Sequence, residues 1–258
     1  MADRADALAQ ELRTFSAFGR ETVAGVTAPL DPPASGGARV NAPGAAVAST
    51  HGGAPAVETF TNEFWTSKQR AARRLHEISY RACFKPQLPR FFIERLTEPG
   101  DVVYDPFMGR GTTLLEAALL GRVPYGCDVN PLGEILVGPR LSPPATDAVE
   151  ARLGEIDFAR RGRLPEELLV FYHPDTLREV VSLRRYLLER QQRAELDRVD
   201  EWIRMVAVSR LTGHSSGFFS VYTLPPNQAV TVESQRRINA RRGQTPPRRS
   251  VPELILRK

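Results

Sequence analysis

The residues whose types and spacing carry chemistry crowd into one short run, Asp105-Pro106-Phe107-Met108-Gly109-Arg110-Gly111-Thr112-Thr113. A second carboxylate, Asp128, follows Asp105 by 23 residues, in Gly126-Cys127-Asp128-Val129-Asn130-Pro131. Two alternating glycines mark a backbone that turns sharply or lies against a ligand, because glycine takes φ > 0 without a Cβ penalty. Phosphate is the first ligand to weigh. A dinucleotide fingerprint needs a third glycine where Leu114 stands, and a phosphate-cradling loop needs a lysine that is absent. Asp105 at the head of the run disfavours a polyanion and suits a cation, such as the amine of an amino-acid moiety. An acid placed like Asp128, at the end of a second strand, hydrogen-bonds ribose hydroxyls. An amine site beside a ribose site describes S-adenosylmethionine. The competing reading of Asp128 is a cap for a helix starting near Pro131.

These residues need a strand, a turn, a helix and a second strand to hold them. Val102-Val103-Tyr104 reads as a short buried strand after the Pro99-Gly100-Asp101 turn. Thr112–Leu120 reads as a helix closed by Gly121, with Thr113 and Glu116 spaced as a capping box. Val123–Val129 reads as the second strand. That order is half of a doubly wound α/β sheet, whose ligands bind at the carboxyl ends of the strands. Upstream, Thr66–Tyr80 reads as a basic helix and Leu88–Leu96 as a short one. Downstream, Asp175–Arg193 and Glu195–Arg210 have helical apolar spacing, Trp202 and Met205 read as core, and Gly217–Tyr222 as a strand.

Taken together, Lys85-Pro86-Gln87-Leu88-Pro89, Glu98-Pro99-Gly100-Asp101, Asp105-Pro106-Phe107, Gly109-x-Gly111-Thr112-Thr113 and Gly126-Cys127-Asp128-Val129-Asn130-Pro131 resemble the amino-methyltransferases of DNA, which modify cytosine N4 or adenine N6. The resemblance spans His76 to Leu136. It implies a Rossmann-like methyltransferase sheet, here incomplete, with a largely helical second half. It implies S-adenosylmethionine as cofactor, DNA as partner and a place in restriction–modification. By the same resemblance Asp105, Phe107 and Gly109 line the methionine end, with Gly111 and Thr112 completing the turn. Asp128 holds the ribose, Asn130 and Pro131 flank the adenine, and Phe84, Lys85 and Pro86 close the methionine side.

Such enzymes also use a tetrapeptide of the form Asp/Asn/Ser-Pro-Pro-aromatic. Its polar side chain and a backbone carbonyl accept the N–H bonds of the exocyclic amine and localise its lone pair, while the aromatic ring stacks on the flipped-out base. The Pro-Pro pairs here stand in Asp31-Pro32-Pro33-Ala34, Ser142-Pro143-Pro144-Ala145, Leu224-Pro225-Pro226-Asn227 and Thr245-Pro246-Pro247-Arg248. None has both an acceptor and an aromatic residue, so the catalytic residues are not assigned. The expectation is a cofactor-binding front part that needs a separate C-terminal catalytic part. A catalytically silent cofactor- or DNA-binding remnant, or a methyltransferase acting on RNA, are the alternatives.

Composition bounds the rest. The 258 residues are 41% hydrophobic and 25% charged, which excludes fibrous and wholly disordered classes. No apolar run nears the roughly 18 residues of a membrane span, and no secretory leader is visible, so a cytoplasmic setting is expected. The two cysteines, Cys83 and Cys127, read as buried free thiols, and the four histidines lack metal spacing. His76 and His214 read as packed or solvated, with substrate contact the alternative. Residues 1–57 read as a flexible N-terminal segment and linker, with no strand period between Val23 and Val57. Residues 58–140 read as the α/β core, and 141–258 as a helical region. Its tail from Arg236 holds eight basic residues against one acid, a footprint suited to phosphates or simply a solvated face.

Overall fold

The computed structural model describes residues 2–16, 19–27, 57–64, 73–78, 80, 84–160, 162–223 and 230–258. The chain divides into two compact units, 1–69 and 70–258. In the first, helix α1 (Ala2–Thr14) precedes strands β1 (Val23–Thr27) and β2 (Val57–Thr61), which pair antiparallel with Val23 opposite Thr61. Arg13 reaches Glu58 at 2.5 Å, and Asn62 donates to the Phe15 and Arg20 carbonyls. Composition hides these strands. Val-Ala-Gly-Val-Thr is mixed and largely exposed, so no alternation of polar and apolar residues marks it. The expected linker therefore starts and ends in a strand, while 28–56, with Asp31-Pro32-Pro33-Ala34, lies outside the described residues.

The second unit opens on a single 3-10 turn, Arg74–His76. Most of the helix expected over Thr66–Tyr80 lies outside the described residues, as does Cys83. Helix α2 (Gln87–Leu96) packs on α3 (Thr112–Leu119). Around α3 run β3 (Val102–Asp105) and β4 (Val123–Gly126), paired in parallel with Val102 opposite Val123 and Asp105 opposite Gly126. The alternation places Val102, Tyr104, Val123 and Tyr125 on one face, and all four are exposed. The opposite face packs on α3. Parallel strands are ordinarily covered on both faces.

Helices α4 (Leu132–Leu141), α5 (Thr146–Glu155), α6 (Pro174–Gln192), α7 (Arg198–Arg210), α8 (Val232–Arg242) and α9 (Val251–Leu256) follow. Their starts obey capping chemistry. His173 Nδ1 accepts from the Asp175 N–H with proline at the first position of α6, and Asp197 with Asp200 forms a capping box on α7. Leu177, Ile203, Met205, Val206 and Val251 are fully buried between these helices. Leu136 of α4 and Ile78 belong to the same core, and α4 also packs on α3, which joins the strand–helix–strand element to the helical half. Trp202 packs against this core as its spacing predicts.

Three local expectations are corrected. Gly217–Tyr222 forms no strand; only an isolated bridge joins Gly213 and Tyr222. The second strand ends at Gly126 rather than Val129, because the chain turns where Cys127 begins the Asp128 loop. No capping box starts α3: its N-cap is Gly111, without a side-chain cap, and Glu116 points into the interior. No helix among the described residues is long and apolar enough to cross a membrane.

Candidate functional site

The glycine turn grows out of the parallel ladder. Cys127 N–H donates to the Asp105 carbonyl at 3.1 Å and Met108 N–H to the Cys127 carbonyl at 3.0 Å, so pairing continues past both strands. Asp105 Oδ1 then accepts from the Phe107 N–H at 3.0 Å and closes a tight turn. Gly109 and Gly111 take φ of +49° and +75°, the left-handed region that glycine adopts without strain. Gly111 also has no room for a Cβ, which would sit 2.4 Å from Val137 Cγ2 on α4. A Cβ on Gly109 would meet only the Tyr80 ring at 3.5 Å and a carbonyl at 4.0 Å. The first glycine thus leaves an open backbone, while the second lets two helices approach.

Asp128 binds the turn directly. Its Oδ2 accepts from the Gly109 N–H and its Oδ1 from the Asn130 N–H, both at 2.8 Å. Those two N–H donors, Asn130 first, hold its carboxyl below the usual range. Asn130 Oδ1 in turn accepts from Leu132 N–H at 3.0 Å, at the start of α4. Asp128 is therefore a brace between two loops rather than the cap of α4, whose N-cap is Pro131. A carboxylate has about four lone-pair sites, so Asp128 keeps acceptor capacity for a ligand.

The structure brings Asp105, Phe107, Gly109, Gly111, Asp128 and Asn130 together at the carboxyl ends of two neighbouring strands. Phe107 is 84% exposed, with its ring free to meet a ligand. Thr112 is buried, and its Oγ1 accepts from Arg110 Nε at 3.2 Å, so its side chain faces the interior. Lys85 stands just ahead of α2, its carbonyl accepting from the Leu88 N–H. Cys127 is a free but exposed thiol, against the buried reading, and lies 3.2 Å from the Tyr104 hydroxyl. That contact raises the Tyr104 pKa.

Sequence reading missed the polar groups beneath the turn. His76 Nε2 lies 2.7 Å from Glu116 Oε1, with both side chains buried. Arg110 Nη1 donates to the His76 and Ile78 carbonyls at 3.2 Å each. Arg140, 1% exposed, donates to the Leu136, Leu75 and Arg110 carbonyls. His76 is thus a packed histidine. Glutamate and arginine inside apolar helices were the available signals: Glu116 in Leu114-Leu115-Glu116-Ala117 and Arg140 after Val137-Gly138-Pro139.

Residues 51–132 match the family model described as DNA methylase, of N6/N4 type. Over this segment the chain is similar to that family. The Type II methyltransferase M.MvaI of Kocuria varians is 27% identical over 142 residues, which is 54% of this chain and 27% of that protein. The Type II methyltransferase M.MjaII of Methanocaldococcus jannaschii is 34% identical over 76 residues, 29% of this chain and 14% of that one. M1.MboII of Moraxella bovis is 38% identical over 73 residues, covering 26% and 28%. The chain thus spans between about a seventh and somewhat over a quarter of the length of these relatives. No solved structure matches it. The family segment contains the whole strand–turn–helix–strand element, so the carboxylates and glycines described above are family-segment residues.

Proposed function

We propose that the turn binds S-adenosylmethionine and that the protein takes part in methyl transfer to an exocyclic amine of DNA, cytosine N4 or adenine N6. The observation that carries this is the pairing of two carboxylates with an open glycine backbone at the ends of adjacent parallel strands. The donor set suits the cofactor. Asp105 offers its second carboxylate oxygen to an ammonium group, Asp128 offers its remaining lone pairs to ribose hydroxyls, and Phe107 and Asn130 flank the turn. Gly109 has no Cβ to fill the space beside it. When bound, S-adenosylmethionine supplies an electrophilic methyl on a sulfonium. The residues of this chain bind and orient it.

Activation of the target amine is a separate task. Ser142-Pro143-Pro144-Ala145 joins α4 to α5, and Thr245-Pro246-Pro247-Arg248 joins α8 to α9; neither holds an aromatic platform. Leu224-Pro225-Pro226-Asn227 lies outside the described residues. The reading is that a complementary part supplies the acceptor and the platform, and completes a Rossmann-like sheet. The exposed Val102, Tyr104, Val123 and Tyr125 face supports this, as do relatives several times longer than the matched stretches. The test is a pair of assays on the 258-residue chain. Calorimetry should detect one S-adenosylmethionine site, while radiolabelled methyl transfer to mixed-sequence DNA should stay at background. Turnover by this chain alone would place the catalytic groups within it.

A further inference from the structure

Arg140 stands in a helix whose other charged residue is Glu134, and it is buried to 1%. Among the described residues no carboxylate pairs with its guanidinium. Burial, reinforced by the Arg110 charge, lowers its pKa to about 10, so it stays protonated at neutral pH. A buried cation is costly without compensation, and here the compensation comes entirely from backbone carbonyls. Nε donates to Leu136 within α4 at 2.6 Å, Nη1 to Leu75 at 3.0 Å, and Nη2 to Arg110 in the glycine turn. One planar group therefore joins three separate stretches of chain.

The Arg110 carbonyl belongs to the peptide whose N–H is that of Gly111, and this N–H donates to Met108 at 2.6 Å. Holding the carbonyl fixes that peptide plane, and with it the direction in which the Gly109 backbone faces. Arg110 answers from the other side, through the His76 and Ile78 carbonyls, while Glu116 holds the His76 ring. The stretch 73–78 is thereby pinned beneath the turn and delivers Tyr80 to the open side of Gly109.

We propose that Arg140 is a positioning residue for the cofactor turn. It orients the Arg110–Gly111 peptide and, through Leu75, the stretch that sets Tyr80 against Gly109, without touching the cofactor itself. The inference rests on reading the turn as the S-adenosylmethionine site.

The test compares Arg140→Met and Arg140→Lys with the parent in the full 258-residue chain. Two quantities are read: amide hydrogen exchange over 106–112, with 199–207 of α7 as internal reference, and S-adenosylmethionine affinity. A hydrogen bond from a charged donor is worth about ten- to a hundredfold in an equilibrium. Arg140→Met should speed exchange in the turn by about tenfold or more and weaken the cofactor by a similar factor, with 199–207 unchanged. Arg140→Lys keeps the charge but cannot span three carbonyls, so it should fall between. Turn exchange at the parental rate in a folded variant overturns the proposal. So does equal acceleration in the turn and in α7, or failure of both variants to fold, since each shows a role in general stability alone. If the parent itself binds no S-adenosylmethionine, the cofactor reading fails, while the exchange comparison still decides what Arg140 does.

Discussion

Gly109 and Gly111 look equivalent in the sequence and are not equivalent in the structure. Both have positive φ, but only Gly111 lies where a Cβ would collide with Val137. Left-handed backbone costs a non-glycine residue about 1–2 kcal/mol, and overpacking adds about 1–3 kcal/mol. Gly111→Ala should therefore destabilise the unit by roughly 2–5 kcal/mol, seen as a lower urea midpoint. Gly109→Ala should cost only the backbone part, about 1–2 kcal/mol, and lose cofactor affinity as well. Equal loss of stability in the two variants would contradict the division of labour. The gathering of these residues at one turn was legible because carboxylates and glycines at fixed offsets around a strand end have few other uses. Glu116 was misassigned as a cap because sequence spacing alone cannot distinguish a helix start from a buried pair with His76, 40 residues upstream.

At the scale of elements, the strand–helix–strand order and the helices of the second half follow from periodicity and punctuation. Gly121, with φ +77° just past α3, and Gly243, with φ +58° at the end of α8, act as helix stops. Strands β1 and β2 were not legible, since their residues are exposed and their pairing spans a long intervening stretch. The ion network at the head of α7 was equally hidden. Asp200 is fully buried between Arg152 and Arg190, each at 2.6 Å, and Asp197 accepts from Arg152 at 2.8 Å. Removing one member of a buried ion pair strands the others, at about 3–5 kcal/mol. Asp200→Ala should lower stability by roughly that amount in urea unfolding, and a change within error would show the network to be a surface feature. The Arg152 guanidinium holds Asp197 down at about 2, against an ordinary 3.8. A depressed carboxyl stabilises the fold above its unfolded pKa. That contribution is lost as pH falls through the window from 3.8 to about 2.

The whole molecule carries a net charge of +5, with much of the excess toward the end of the chain. The structure sorts those arginines. Arg249 donates to the Ser215 and Phe218 carbonyls, Arg242 stacks 3.9 Å above Tyr222, and Arg237 lies 3.4 Å from Glu233. Arg236 and Arg241 remain exposed on α8. If the reading of DNA as partner holds, Arg236→Ala with Arg241→Ala should reduce the slope of log affinity against log salt by about 2. An unchanged slope would make α8 a solvated face. The helical half itself holds no motif that names a base, so recognition of the target was not legible there.

On the proposed reading Asp128, already braced on the Gly109 and Asn130 N–H groups, holds the ribose of S-adenosylmethionine. The measurement is calorimetric titration of the 258-residue chain and of its Asp128→Ala variant with S-adenosylmethionine, with circular dichroism as a check on the fold. One site is expected in the parent, with affinity weaker by about one to two decades in the variant, as for loss of hydrogen bonds to a charged group. Equal affinity in a folded variant, or no binding by the parent, would contradict it.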